Sequence, residues 1–294
     1  MLIARYAVQR LRSKETIHVA KAVLGYVDRP GFLHRLTGTA KLILVGALVL
    51  AAMLTFDARL LLALSALSMV LWAVSRIKLS DLKVVLLIIL TFMLLNNLLI
   101  FVFAPRYGVS LFGTEHIIVA GPGRWVLTWE QLFYQALVTL KYFAVLPGVL
   151  LFIATTPPPE FAASLNSLGV PYRFAYSVSL ALRYIPDVQR DYETISIAQQ
   201  ARGLDASRKA PLGERAKNLL AVLMPLLFGS LDRIETTSAA MELRGFGSRK
   251  KRTWWSARPL RLGDWLIILA SIAIVGVAIW LQYVNGGRFW NPFV

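Results

Sequence analysis

No cysteine occurs in this chain of 294 residues, which excludes disulfides, thiolate catalysis and cysteine-ligated metal centres. Histidine is nearly as scarce. His18, His34 and His116 stand far apart without ligand spacing, so no bound metal is expected. There is no Gly-x-x-x-x-Gly-Lys-Ser/Thr phosphate loop, no Gly-x-Ser-x-Gly elbow and no His-Glu-x-x-His. The chain is therefore expected to be non-catalytic and to carry no cofactor of its own. If ATP powers its work, another subunit must hold the nucleotide. Acidic residues are few, 16 against 32 Lys and Arg, yet no motif of a nucleic-acid-binding fold accompanies the basic excess. No nucleic-acid partner is expected. The excess reads instead as membrane orientation and attraction to anionic lipid at the cytoplasmic face.

Apolar residues are abundant, at 57% of the chain, and they fall in runs at 42–56, 60–74, 84–103, 132–153 and 265–283. A helix needs about 20 residues to cross the hydrocarbon core. The last three runs meet that length. The first two are short and separated only by Asp57-Ala58-Arg59, which predicts a tight helical hairpin or a tilted, partly re-entrant pair. A basic stretch of about forty residues precedes the first run, so no cleavable signal peptide is expected. None of the five runs contains Asp or Glu, which disfavours an ion-coupled carrier.

Charge sets a direction. Residues 1–41 hold eight Lys/Arg and two acids, and 155–263 hold sixteen and nine, whereas 104–130 carry only Arg106 and Arg124 against Glu115 and Glu130. The positive-inside rule places the first two regions, with the 76–83 connection, in the cytoplasm and 104–130 outside. The expected organisation is a basic cytoplasmic N-terminal segment (1–38), four transmembrane helices (39–154), a cytoplasmic segment (155–263), and a last transmembrane helix with an external C-terminus (264–294). Lys141 lies within the fourth run, where it either serves transport, faces a helix seam or snorkels. Asn96 and Asn97 are expected to bond neighbouring helices. Trp254-Trp255 reads as an interfacial anchor.

The polar segment 155–263 holds the most specific signal. Glu193-Thr194-x-Ser196-x-Ala198-x-x-x-Arg202-Gly203 returns 42 residues later as Glu235-Thr236-x-Ser238-x-Ala240-x-x-x-Arg244-Gly245. The spacing predicts two long helices, over about 172–202 and 213–244, after a short one over 160–168 closed by Gly169. Pro186 and Pro225 should bend the long pair. Gly203 and Gly245 suit the left-handed position after a helix end. Val188, Tyr192, Ile195 and Arg202 share one stripe of the first helix, as Leu227, Ile234, Met241 and Arg244 do on the second, so each arginine terminates an apolar face. The small residues at matching places would permit a close crossing. One Arg-Gly helix end is commonplace, because arginine complements the helix dipole. The same array twice in one segment points to one surface docking on two similar partners.

These residues resemble the transmembrane T component of energy-coupling factor (ECF) transporters, whose signature is a pair of x-Arg-Gly motifs ending two cytoplasmic coupling helices. Ala201-Arg202-Gly203 and Leu243-Arg244-Gly245 match it, as do Ser179-x-x-x-Arg183-Tyr184-Ile185-Pro186, Pro225-Leu226-Leu227 and Leu33-His34-Arg35-Leu36. The resemblance covers about 30–284. It implies an all-α integral membrane protein with about five transmembrane helices, plus a cytoplasmic coupling domain of two long, crossed helices and a short one. It also implies partners: two ABC-type ATPase subunits that receive Arg202 and Arg244, and a small membrane substrate-binding S component for vitamin or metal-ion uptake. Alternatives are a conventional ABC importer permease, which Glu160-x-Ala162-Ala163 resembles faintly, and a membrane scaffold without an ATPase partner.

Overall fold

The computed structural model describes residues 36–75, 77, 82–120, 125–204, 212–248 and 252–292. The expected basic N-terminal segment, the Leu33-His34-Arg35 match and the lysines and arginines at 76, 78 and 249–251 lie outside the described residues. The chain divides into two compact units, one holding Pro158–Ala257 and the other built from the described parts of Leu24–Pro157 and Arg258–Val294.

The apolar unit contains helices α1 (Gly38–Leu54), α2 (Ala58–Ser75), α3 (Lys83–Phe103), α4 (Tyr107–Phe112), α5 (Trp129–Thr155) and α9 (Leu262–Val284), with strands β1 (Ile117–Ala120) and β2 (Val126–Thr128). Four of these, α2, α3, α5 and α9, are long and apolar enough to cross a membrane, while α1 is a shorter apolar helix of 17 residues. The protein is an all-α membrane protein; among the described residues the only sheet is the small antiparallel pair β1–β2.

Helix α1 does not form the tight hairpin with α2 that the short link predicts. It packs mainly on α9 and α5, while α2 packs on α5. The reason is the link itself, which is occupied by the C-terminal segment. Phe56 N–H donates to Arg288 O at 2.7 Å, Asn285 Nδ2 donates to Asp57 Oδ2 at 2.8 Å, and Gln282 donates to the carbonyl of Leu54. Asp57 is fully buried and accepts Arg59 N–H at 2.9 Å, capping the first turn of α2.

At its other end α1 is tied to α9 again. Buried Asp264 accepts Thr37 N–H at 2.8 Å through Oδ1 and Arg261 N–H at 2.8 Å through Oδ2, joining the starts of both helices. Contacts at both starts and both ends mean that α1 and α9 run parallel. Ser65 and Ser68 donate to Leu140 O (3.1 Å) and Ala144 O (2.5 Å), so α2 and α5 are parallel as well. Buried Lys41 donates from Nζ to Thr155 O at 2.9 Å, setting the start of α1 against the end of α5. A cation there complements the exposed carbonyls of a helix C-terminus. Leu86 and Ile89 of α3 pack on the cluster holding Leu150 and Leu151 while Asn97 meets Thr139, so α3 is antiparallel to α5 and directions alternate along the chain through α1, α2, α3, α5 and α9.

Helix α3 buries none of its 21 residues. It is joined to α5 by Asn97, whose Nδ2 donates to Thr139 Oγ1 at 3.3 Å and whose carbonyl accepts Gln135 Nε2 at 3.0 Å. Asn97 thus bonds a neighbouring helix, as expected. Lys141 reaches Phe56, with Nζ 3.2 Å from the ring centroid, and Phe56 stacks on Phe289 at 4.5 Å. The Lys141 ammonium thus lies against the link between α1 and α2.

The polar unit contains α6 (Pro158–Ser167), α7 (Tyr172–Ala201) and α8 (Leu212–Leu243). Helix α6 packs on α7, and α7 on α8. Gly169, at φ +97°, ends α6, with Val170 N–H reaching back to Leu165 O at 3.2 Å. Pro186 and Pro225 both lie inside helices that continue through them.

Candidate functional site

The two Arg-Gly ends adopt the same backbone. At the first, Gly203 N–H bonds Gln200 O at 2.9 Å and Leu204 N–H bonds Gln199 O at 3.0 Å. At the second, Gly245 N–H bonds Glu242 O at 2.8 Å and Phe246 N–H bonds Met241 O at 2.9 Å. Both are Schellman ends, in which the residue after the helix turns left-handed and its successor closes on the carbonyl five residues earlier. Gly203 and Gly245, at φ +83° and +68°, occupy that left-handed place. Only glycine adopts it without steric cost. Repeated sequence has produced closely similar geometry, with Arg202 and Arg244 each standing one residue before the left-handed glycine.

Both arginines are exposed, as are Ala201 and Leu243 beside them, Leu243 at 90%. Among the described residues neither guanidinium makes a hydrogen bond or ion pair. A planar fork of charged donors beside an exposed leucine is suited to a carboxylate in an apolar setting.

The helices that carry these ends run antiparallel. Tyr184 meets Thr237 (3.0 Å between hydroxyl oxygens), Asp191 meets Arg233 (2.5 Å), and Gln199 Nε2 donates to Ala221 O at 3.2 Å. Ascending numbers on α7 face descending numbers on α8. The end of α8 lies beside the start of α7, where Phe246 packs against Tyr176 (4.8 Å between centroids) and Arg173 Nη2 donates to Gly247 O at 3.0 Å. The two arginines therefore stand at opposite ends of the pair. Helix α7 alone has 30 residues, about 45 Å at helical rise, so the tips are on the order of 40 Å apart.

Asp191 and Arg233 also differ by 42, the repeat offset. In an antiparallel pair of copies, a position meets its own counterpart only at a local two-fold axis. The Asp191–Arg233 ion pair marks that axis. A groove beside it is lined by Asp191, Ile195, Pro225, Leu226, Gly229 and Arg233; Ile195 and Leu226 there are the counterparts of Thr237 and Tyr184.

Sequence reading placed the arginines and glycines but misjudged the helix contact. Of the four small residues, Ala198, Ser238 and Ala240 are exposed and only Ser196 is half-buried, with its hydroxyl accepting from Gln200, so they do not line a close crossing. The contact runs through Tyr184, Asp191 and Gln199 of α7 and Thr237, Arg233 and Ala221 of α8. The Asp191–Arg233 pair went unnoticed, although opposite charges two residues before each Glu-Thr were visible. Trp254 is tied into the polar unit. Its Nε1 donates to Asn166 Oδ1 at 3.0 Å and its ring sits 5.3 Å from that of Tyr172, while Trp255 is fully exposed.

Large apolar side chains remain uncovered on both helices. On α8 these include Leu220 (53% exposed), Leu227, Phe228 (64%), Leu231 and Ile234, and on α7 Val188, Tyr192 and Ile197. So much contiguous apolar surface marks a place where another apolar molecule rests.

The profile of the CbiQ family, described as cobalt transport protein, matches residues 31–255. The energy-coupling factor transporter transmembrane protein EcfT of Limosilactobacillus fermentum is 34% identical over 152 residues, 49% of this chain and 56% of the relative. The protein of that name from Exiguobacterium sibiricum is 29% identical over 185 residues, 60% and 69% of the two chains. That from Listeria innocua is 27% identical over 155 residues, 50% and 58%. The matched stretch thus spans little more than half of the first and third relatives.

Proposed function

Since this chain belongs to the CbiQ family, we propose that it is the coupling subunit of an ECF-type importer, linking two ABC-type ATPase subunits to a small membrane S component that binds the substrate. The observation that carries the reading is the pair of like arginine tips, neither guanidinium bonded among the described residues, at opposite ends of an antiparallel helix pair with a local two-fold. A two-fold surface with like ends suits two like partners, and ATPase subunits of this class work in pairs. Each tip enters a groove of one ATPase, where Arg202 or Arg244 pairs with acidic side chains. Gly203 and Gly245 shape the tips, Ala201 and Leu243 flank them, and Pro186 and Pro225 set the bends between.

The uncovered apolar faces of α7 and α8 form the bed for the S component. ATP-driven closure of the ATPases displaces the tips, the helices carry that displacement to the bed, and the substrate subunit tips. ATP hydrolysis belongs to the partners and the chain itself is non-catalytic. The cargo is a vitamin or a metal ion. In this reading the protein sits in the cell membrane with its N-terminus cytoplasmic and five helices crossing, which the alternating helix directions support. Residues 155–263 then form the cytoplasmic coupling domain, whose basic surface lies against anionic lipid.

The test is co-purification and uptake. Arg202→Glu or Arg244→Glu should abolish association with the ATPase pair, because reversing one member of a desolvated pair costs about 3–5 kcal/mol, while membrane insertion is retained. Wild-type uptake by both variants refutes the assignment. Two copies of this chain per ATPase pair would refute it in favour of a conventional permease.

A further inference from the structure

The two tips share a backbone but differ in how they are held. The Arg244 tip is braced from several sides. Arg252 donates to Gly245 O and Arg173 to Gly247 O, each at 3.0 Å, and Phe246 sits among Tyr172 and Tyr176. At the Arg202 tip the tie is of another kind. Pro225 has no N–H, so the carbonyl of Ala221, four residues earlier, loses the helix hydrogen bond it would otherwise accept. Gln199 supplies the missing donor from α7, with Nε2 3.2 Å from that oxygen. The carbonyl of the same Gln199 accepts both Arg202 N–H and Leu204 N–H, each at 3.0 Å. One residue thus holds the interrupted turn of α8 by its side chain and the turn bearing Arg202 by its backbone. Its counterpart in the second copy is Met241, which has no amide to offer.

We propose that Gln199 is a positioning residue that makes the Arg202 tip and the Pro225 turn of α8 move together. The inference rests on the reading of Arg202 as an ATPase contact. A helix bends most readily where its ladder of hydrogen bonds is interrupted. Displacement of α8 is therefore concentrated at the Pro225 turn, and the carbonyl freed there is the one that Gln199 grips. A tip displaced by an ATPase acts on α8 at its most compliant point, and the apolar bed at Leu220–Ile234 lies on either side of that point.

A double-mutant cycle tests the link. Gln199→Met keeps side-chain length and helix propensity and copies the residue found in the second repeat. Pro225→Ala restores an N–H that closes on Ala221 O within α8, which leaves Gln199 without a task. Because the chain lacks cysteine, Ile197→Cys with Met224→Cys gives a unique pair of spin-label sites, both exposed in the native protein. Gln199→Met should broaden the distance distribution between these labels. It should also lower substrate uptake per ATP hydrolysed, in proteoliposomes holding the full complex, by about fivefold, the size of one neutral hydrogen bond. In the Pro225→Ala background the same change should alter neither readout. An equal effect of Gln199→Met in both backgrounds, or no effect in the native one, overturns the inference. Arg202→Glu run alongside separates the two ideas. Uptake insensitive to that change refutes the reading of the tip, whereas loss there with no effect of Gln199→Met refutes only the link.

Discussion

Asp191 and Arg233 occupy the same place in two copies of one repeat, and their side chains meet at 2.5 Å. The repeat carries an acid in its first copy and a base in its second, at a position that faces its own counterpart. A like-charged pair there would push the helices apart. Opposite charges fix the antiparallel register, and the register fixes where both arginine tips point.

Exchange of these two charges is expected to be tolerated where single reversal is not. Both side chains are more than a third exposed, so the pair contributes only about 0.5 kcal/mol to stability. Asp191→Arg should lower uptake through repulsion from Arg233, and Asp191→Arg with Arg233→Asp should restore it. Uptake assays on the three variants, normalised to complex recovered, check this; an unrestored double variant would count against a register role.

The glycines behind the tips should be sensitive to a single methyl group. Open space surrounds the Cβ direction at Gly203, and at Gly245 the nearest atom is 3.5 Å away. The cost of Gly203→Ala or Gly245→Ala is therefore conformational, about 1 kcal/mol for an L-residue held left-handed. Asparagine should be milder than alanine at both places. Affinity for the proposed ATPase partners, measured in detergent for each variant, should fall in the order glycine, asparagine, alanine.

Gly108 is constrained for the opposite reason. A Cβ there would lie 2.5 Å from the carbonyl carbon and oxygen of Glu130 and 2.6 Å from the nitrogen of Gln131, all of them backbone atoms that cannot rotate away. Gly108 N–H also donates to Gln131 Oε1 at 2.8 Å. Gly108→Ala should destabilise the apolar unit by about 2 kcal/mol, seen as a lowered midpoint of thermal unfolding in detergent, with ATPase association unaffected.

Asp264 should behave as a structural acid. Replacing it with alanine strips the partner from the buried Thr37 N–H, at about 2 kcal/mol, and unties the starts of α1 and α9. Asparagine keeps one acceptor and should restore part of the loss. Thermal unfolding of the three proteins gives the ranking.

The helices were legible because each apolar run is uniform and bounded by charge; their observed ends differ from the runs by only a few residues, where caps such as Thr37 and Thr128 add a turn. The tips were legible because the repeat is nearly literal. What escaped depends on partners distant in sequence. The hairpin between α1 and α2 failed because residues 282–289 occupy the link, and nothing within 55–59 announces that. The strands at 117–120 and 126–128 were signalled by β-branched residues around Gly121-Pro122-Gly123, but that stretch was read for its charge alone. The Gln199–Ala221 bond follows from a proline on one helix and an amide on another. Either residue alone predicts nothing.

Helix α3 invites a last deduction. With no residue of its own buried, it packs more lightly than α1 does between α5 and α9, through half-buried Leu86 and Ile89. Hydrocarbon chains solvate leucine as well as neighbouring leucines do, so inside a bilayer the attachment falls to a few polar groups. Asn97, Gln135 and Thr139 are those groups, a rivet halfway along an otherwise greased rod. Remove the rivet and α3 should remain in the bilayer yet drift from α5, making it the one rib of the bundle whose companion is chosen by the surrounding fat.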